Sequence, residues 1–338
     1  MVEGLEAIAR DEIQARLRSL ARFRKPASSR AGVLAFDYIG ELSRVLHLKT
    51  VASVFLVRHF AVPRPRALLG DEHFRALLAQ IATVRRLVPV ERYQTLAVSA
   101  AGADSPVMTR LIEELARQTG LAVASDEGDL LVRLRRAHYQ EVGWDVLVRL
   151  TPRPLATRAW RVCNYEGALN ATVAHAMALL SRPRRDDAFL NLACGSGTLL
   201  IERLACGPAR QALGCDVSAE ALACARANIA ASGNERRIEV HDWDARSLPL
   251  ADQSIDALCA DLPFGHLVGS HDENVRSYPL FLKEAGRVAK PGARFVLITH
   301  EVRLMEAILS ESTDWDIEQV LTVWLGGLHP RIFVLRRR

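Results

Sequence analysis

Asp261-Leu262-Pro263-Phe264-Gly265 brings together a hydrogen-bond acceptor, a backbone carbonyl oriented by a proline ring, and an aromatic plane. These are the groups needed to grip a flat conjugated ring with an exocyclic amino group, since the amine donates hydrogen bonds and the ring stacks. The preceding run, Ile255-Asp256-Ala257-Leu258-Cys259-Ala260, reads as a short buried strand, so the five residues fall where a strand of a parallel sheet gives way to a loop. Open α/β sheets place their chemistry there. Alone, the stretch is equally an ordinary strand end with a turn, and the choice depends on a second site nearby.

Asn191-Leu192-Ala193-Cys194-Gly195-Ser196-Gly197-Thr198 supplies such a site. The run leaves a strand and opens a helix. Gly195 and Gly197, with Ser196 between them, let the backbone approach a ligand, and a helix N-terminus favours an anionic group such as a carboxylate. A dinucleotide-binding turn would need a third glycine three residues after Gly197, where Leu200 stands, which argues against NAD. Asp216, 21 residues beyond Gly195 and at the end of the second strand, is placed to accept from ribose hydroxyls. Asp244, followed by Ala245 just past the third strand, is placed to accept from an adenine amine. A glycine pair with two such acids in a regular α/β rhythm fits S-adenosylmethionine best, and no metal site is expected.

The segments at 154–170 (PLATRAWRVCNYEGALN), 190–203 (LNLACGSGTLLIER), 214–222, 244–249 and 261–292 together resemble the class I methyltransferases and, more narrowly, the THUMP-containing RNA guanine N2-methyltransferases. The chain departs from that family at Asn191, usually Asp, and at Leu262, often a second Pro. The resemblance implies Gly195, Ser196, Gly197, Asp216, Asp244 and Ala245 as cofactor contacts, with Gly167, Ala168 and Leu169 covering the ligand. It implies Asp261, Pro263 and Phe264 as catalytic residues, tRNA as substrate, and guanosine N2 as target, at position 6 first and position 10 second. It also implies a ferredoxin-like segment and a THUMP module before the catalytic domain. The residues alone do not separate guanine N2 from adenine N6, because each presents an amine beside a ring nitrogen. An amine in rRNA, DNA or protein also stays open, as does a non-catalytic RNA-binding protein, against which the intact Asp216, Asp244 and Asp261 argue. In the expected mechanism Asp261 and the Pro263 carbonyl accept the amine hydrogens and Phe264 stacks on the base. His266 and His271 read as solvated loop histidines, and Glu202 as either orienting the cofactor loop or packing its helix.

The elements that must position these groups form an α/β chain. From Ala188 onward strands and helices alternate: 189–193, helix 198–205, strand 212–215, helix 219–231, strands 238–241 and 255–260, helix 280–288, strand 294–299, helix 302–309, strands 317–324 and 332–335. This predicts a doubly wound, Rossmann-like parallel sheet ending in an antiparallel pair. Before Thr151-Pro152-Arg153-Pro154 the pattern predicts a helix at 4–20, a basic loop at 22–30, a strand near 33–36, helix 39–46, strand 50–60, helix 73–87, strand 95–99, helix 105–119 and strands 130–134 and 145–150. The expected organisation is an RNA-binding module at 1–150, a linker with lead-in helix at 151–187, and a methyltransferase domain at 188–338.

Charge supports an RNA partner. Residues 1–160 hold 24 Lys+Arg against 17 Asp+Glu, while the remainder holds 20 against 22, and nearly all the excess is arginine. Arginine's planar fork engages two phosphate oxygens at once. Arg22, Arg24, Lys25, Arg135 and Arg136, with Arg158 and Arg161 beside Trp160, are the candidate phosphate contacts. The six cysteines show no CxxC pair and read as small buried apolar residues, without disulfides. With no long apolar run and acids near the N-terminus, the expectation is a cytoplasmic, monomeric protein without a membrane partner.

Overall fold

The computed structural model describes residues 1–24, 31–102, 104–137, 142–264 and 270–338; Lys25 and His266 lie outside them. The chain divides into two compact units, Arg10–Ala156 and Met1–Ala9 with Thr157–Arg338.

After α1 (Glu6–Leu17), the first unit holds a two-stranded antiparallel sheet, β1 (Ala21–Phe23) and β2 (Phe36–Tyr38), and the short α2 (Leu42–Val45). The start of the expected basic loop is therefore strand, with Arg22 opposite Asp37 and Phe23 opposite Phe36. A five-stranded sheet follows in the order β3-β7-β6-β4-β5, from β3 (Phe55–Phe60), α3 (Asp71–Arg85), β4 (Thr95–Ala100), α4 (Pro106–Thr119), β5 (Ala122–Val123), β6 (Leu130–Arg136) and β7 (Trp144–Arg149). Buried Arg149 donates to the carbonyls of Gly128, Thr151 and Pro152. That ties the proline-rich stretch to the first unit, and the division falls after it, at Ala156.

The second unit contains α5 (Ala171–Leu180), β8 (Ala188–Leu192), α6 (Thr198–Ala205), β9 (Gln211–Asp216), α7 (Ala219–Ala231), β10 (Glu239–Asp242), β11 (Ile255–Asp261), α8 (His271–Val288), β12 (Ala289–Thr299), α9 (Val302–Glu311), β13 (Trp315–Thr322) and β14 (Arg331–Arg337). Its seven strands run in the order β10-β9-β8-β11-β12-β14-β13, parallel except for the antiparallel pairings of β14. Every residue of β8 is buried, as expected of a strand covered on both faces. Leu5 and Ile8 join this unit's core with Val173 and Met177, and the Trp324 amide donates to the Glu3 carbonyl. These contacts place Met1–Ala9 with the C-terminal unit instead of the N-terminal module. Helix α8 begins at His271, well before the expected Leu280, and runs through Pro279. The Ser270 side chain caps it by accepting from the Glu273 amide, and two acids in its first turn suit the helix dipole.

Candidate active site

β8 and β11 are neighbours, with Leu192 opposite Ala260, yet β9 and β10 continue on one side and β12, β14 and β13 on the other. Such a reversal opens a crevice at the carboxyl ends of the two strands. The loops carrying Gly195 and Asp261 both emerge there.

In the first loop Ala193, Gly195 and Gly197 have φ of 47°, 52° and 77°, left-handed values that glycine adopts without strain. A Cβ on Gly195 would meet nothing within 4 Å, while one on Gly197 would stand 3.3 Å from Ala225 Cβ. Gly195 therefore offers an open face, and Gly197 lets the start of α6 approach α7. Asp216 Oδ2 accepts from the Gly195 amide at 2.9 Å and Oδ1 from the Ser218 amide at 3.0 Å. The carboxylate is fixed beside the loop and keeps lone pairs for ligand hydroxyls. Asp244 accepts from the Arg246 amide at 2.9 Å and from its Nη2 at 2.6 Å, and the guanidinium holds its carboxyl below the usual range. This ion pair is exposed on both sides; such pairs contribute little, so the carboxylate can still accept from an amine. Ala245 is buried. Ser196 is also buried, its hydroxyl 3.2 Å from Thr198 Oγ1, and stiffens the loop.

Residues 158–170 form a strap across the starts of α6 and α7. Arg161 Nη2 donates to the Leu169 carbonyl at 2.8 Å and to Thr198 Oγ1 at 3.0 Å, and Tyr165 Oη lies 3.4 Å from Ser218 Oγ. Asn228, on α7, accepts from the Val162 and Cys163 amides and donates to the Cys163 and Ser196 carbonyls. Gly167 is exposed, Ala168 closes a turn onto the Tyr165 carbonyl, and Leu169 is buried. Cys163 and Cys224 form a disulfide between strap and helix, against the expectation of six unpaired thiols. Their separation of 61 residues carries no motif; Asn228, one turn beyond Cys224, is what draws the strap onto α7.

Arg158 and Arg161, expected on phosphate, turn inward. Arg158 Nε donates to Glu202 Oε1 at 2.7 Å, and His175 Nδ1 lies 2.8 Å from Glu202 Oε2. All three side chains are buried. Burial raises the Glu202 pKa, but hydrogen bonds from His175 and Arg158 outweigh it and hold the carboxyl below its usual range. Glu202 thus joins strap, α5 and α6, with Arg158 buried in the joint and Arg161 half-buried beside it. Among the other candidates, Arg22 and Arg136 are exposed, Arg24 pairs with Asp37 at 2.6 Å, and Arg135 Nε stands 3.9 Å from Asp145 Oδ2.

At the end of β11 Asp261 is partly buried, and among the described residues nothing donates to its carboxylate. Burial pushes its pKa up to about 7. The Phe264 ring lies 6.2 Å from that of His300. The Pro263 carbonyl, expected to accept from the substrate amine, accepts instead from Tyr278 Oη at 2.5 Å and Asn274 Nδ2 at 3.0 Å. Two donors fill its two lone pairs. His271 opens α8 with Nδ1 3.0 Å from both Glu301 carboxylate oxygens.

Residues 158–331 match the UPF0020 family, the RMKL-like methyltransferase domain. The chain belongs to this family. A tRNA (guanine(6)-N(2))-methyltransferase THUMP3 from Mus musculus is 30% identical over 182 residues, 50% of this chain and 36% of its own length. The tRNA (guanine(6)-N2)-methyltransferase of Methanocaldococcus jannaschii is 25% identical over 256 residues, 64% of this chain and 65% of its own. The chain therefore spans about a third of the mouse relative and just under two thirds of the archaeal one. The crystal structure of TrmN from Thermus thermophilus superposes with a TM-score of 0.76, at 25% identity, over 100% of this chain and 98% of that one.

Within this methyltransferase domain, sequence reading missed Asn228, Arg246, Asn274 and Tyr278. Asn274 and Tyr278 stand four residues apart, one helical face, and that spacing is a usable signal. The expected helix start at 280 leaves both residues outside it.

Proposed function

We propose that this protein transfers the methyl group of S-adenosylmethionine to the exocyclic N2 of a guanosine in tRNA, at position 6 first and position 10 second. The observation that carries the reading is the Asp261 carboxylate, partly buried, without a donor among the described residues, and one strand from the open face of Gly195. The residues present fit the cofactor. Gly195, just before the N-terminus of α6, suits its carboxylate, Asp216 its ribose hydroxyls and Asp244 its adenine amine, while the buried Asn191 Oδ1, without a partner among the described residues, is a further acceptor near the end of β8. When bound, the cofactor supplies an electrophilic methyl on a sulfonium sulfur.

A guanine N2 is a weak nucleophile because its lone pair is delocalised into the ring. Asp261, accepting one N–H, holds that nitrogen with its lone pair toward the methyl group, and Phe264 offers a face to the base. As the N–C bond forms and the S–C bond breaks, the amine must lose one proton. Asp261, ionising near neutrality, takes it and releases it to water. The preference for guanine and for tRNA is supported by the names of the mouse and archaeal relatives. In this reading residues 1–150 include a THUMP-type RNA-binding module, 151–187 lead into the catalytic domain at 188–338, and the protein works as a cytoplasmic monomer. Among the described residues no helix is long and apolar enough to cross a membrane.

Transfer of tritiated methyl groups to unmodified tRNA, rRNA, DNA and protein tests the reading. Label in tRNA is expected. Label confined to another polymer refutes the substrate, and cofactor binding without label in any of them favours the non-catalytic RNA-binding alternative.

A further inference from the structure

The Pro263 carbonyl is the end of a hydrogen-bond chain whose direction is forced. The Glu301 amide can only donate, and it donates to Thr299 Oγ1 at 2.9 Å; Thr299 Oγ1 lies 2.8 Å from Tyr278 Oη, which lies 2.5 Å from the Pro263 carbonyl, an acceptor only. Each hydroxyl must therefore accept from the Glu301 side and donate toward Pro263. Hydrogen bonds linked head to tail polarise and strengthen one another. Asn274 Nδ2 adds a second donor to the same carbonyl at 3.0 Å. Tyr278, Thr299 and Asn274 are all buried, so water does not readily replace a missing link.

We propose that Tyr278, backed by Thr299 and joined by Asn274, is a positioning clamp that fixes the Pro263–Phe264 peptide, and through it the Asp261 carboxylate and the Phe264 ring, in the orientation needed for methyl transfer. The proposal rests on the function proposed above. A carbonyl held from two sides cannot rotate its peptide plane without breaking both bonds. Asp261 ends β11, opposite Ile298 of β12, two residues before this anchor, and Phe264 follows the anchor immediately, so strand and clamp together set the acceptor and the stacking ring. Thr299 ends β12, the strand beside β11, and Asn274 and Tyr278 share one face of α8. The loop is thereby referenced to the rigid sheet instead of to its own backbone.

Burial holds the Tyr278 phenol well above its ordinary pKa, so it remains a donor across the working range of pH. The clamp is a fixed part of the site and not a pH switch.

Tyr278→Phe removes the donor and keeps the ring. The expected result is a fall in kcat of about tenfold or more, with RNA KM and S-adenosylmethionine Kd within about twofold of the parent, as for a group that acts on orientation at the transition state. Thr299→Val, which breaks the next link, lowers kcat by less, whereas Thr299→Ser, which keeps the hydroxyl, retains parental activity. Hydrogen exchange on the protein without substrate provides a readout independent of the RNA: exchange at the Leu262 amide, which donates to the Ile298 carbonyl at 3.1 Å, rises in Tyr278→Phe. A parent that methylates no RNA would overturn the proposed function, while raised exchange in the variant would still support the clamp. A Tyr278→Phe protein with parental kcat and parental exchange would overturn the clamp. So would a kcat loss matched by equal losses of cofactor affinity and melting temperature.

Discussion

Because burial holds the Asp261 carboxyl near pH 7 while an unfolded chain releases that proton near pH 4, the native state binds the extra proton between those values. Stability contributed at this position is greatest below about pH 4 and falls as pH rises to about 7, above which the cost of a buried charge is fully present. Asp261→Asn should therefore be more stable than the parent at pH 8, on the order of a few kcal/mol, and no more stable at pH 4, as read by chemical denaturation at the two values. The same variant keeps an oxygen that can accept a hydrogen bond but loses the carboxylate that takes the proton, and should transfer methyl groups at least about 100-fold more slowly. In the parent, kcat/KM should rise with pH through about 7, where the free enzyme's carboxyl ionises. At the other end of the site Asp216→Ala removes hydrogen bonds to a charged acceptor, worth about 1.5–3 kcal/mol, so calorimetry should show S-adenosylmethionine binding weakened by roughly 10- to 150-fold.

Among the elements, the strap decides how firmly the first loop is held. Cys163→Ser or Cys224→Ser opens a cross-link spanning 61 residues, for which the chain-entropy view allows a loss of up to about 4 kcal/mol. The melting temperature should fall, and cofactor affinity with it, whereas Cys206→Ser, outside the disulfide, should leave both within error. Helices and strands of the second unit were largely legible because each is a long apolar or amphipathic run bounded by turn residues; α6 and α7 fall at their expected residues. What sequence could not show is tertiary. A buried Arg158 looks like a surface arginine until Glu202 and His175 close around it, and a carbonyl such as that of Pro263 reads as free until Tyr278 and Asn274 arrive from the turns of α8 that precede the expected start at 280. Backbone hydrogen bonding leaves no residue-type signature, so the two donors on the Pro263 carbonyl could not be read from the sequence.

Over the whole molecule the arginine excess lies in residues 1–160 and the crevice proposed for methyl transfer in the C-terminal unit. RNA affinity and cofactor affinity should therefore respond to different changes. Arg22→Glu with Arg136→Glu should weaken tRNA binding about tenfold and reduce its salt dependence, leaving S-adenosylmethionine binding unaltered; filter binding over a salt series with calorimetry checks both halves. The central claim is that Asp261 presents a guanine amine to the methyl donor, and nucleoside mass spectrometry tests it most directly. Unmodified tRNA treated with the parent protein should yield N2-methylguanosine, and tRNA treated with Asp261→Ala should yield almost none. A methylated adenosine from the parent, or N2-methylguanosine from Asp261→Ala at the parental rate, would contradict the account.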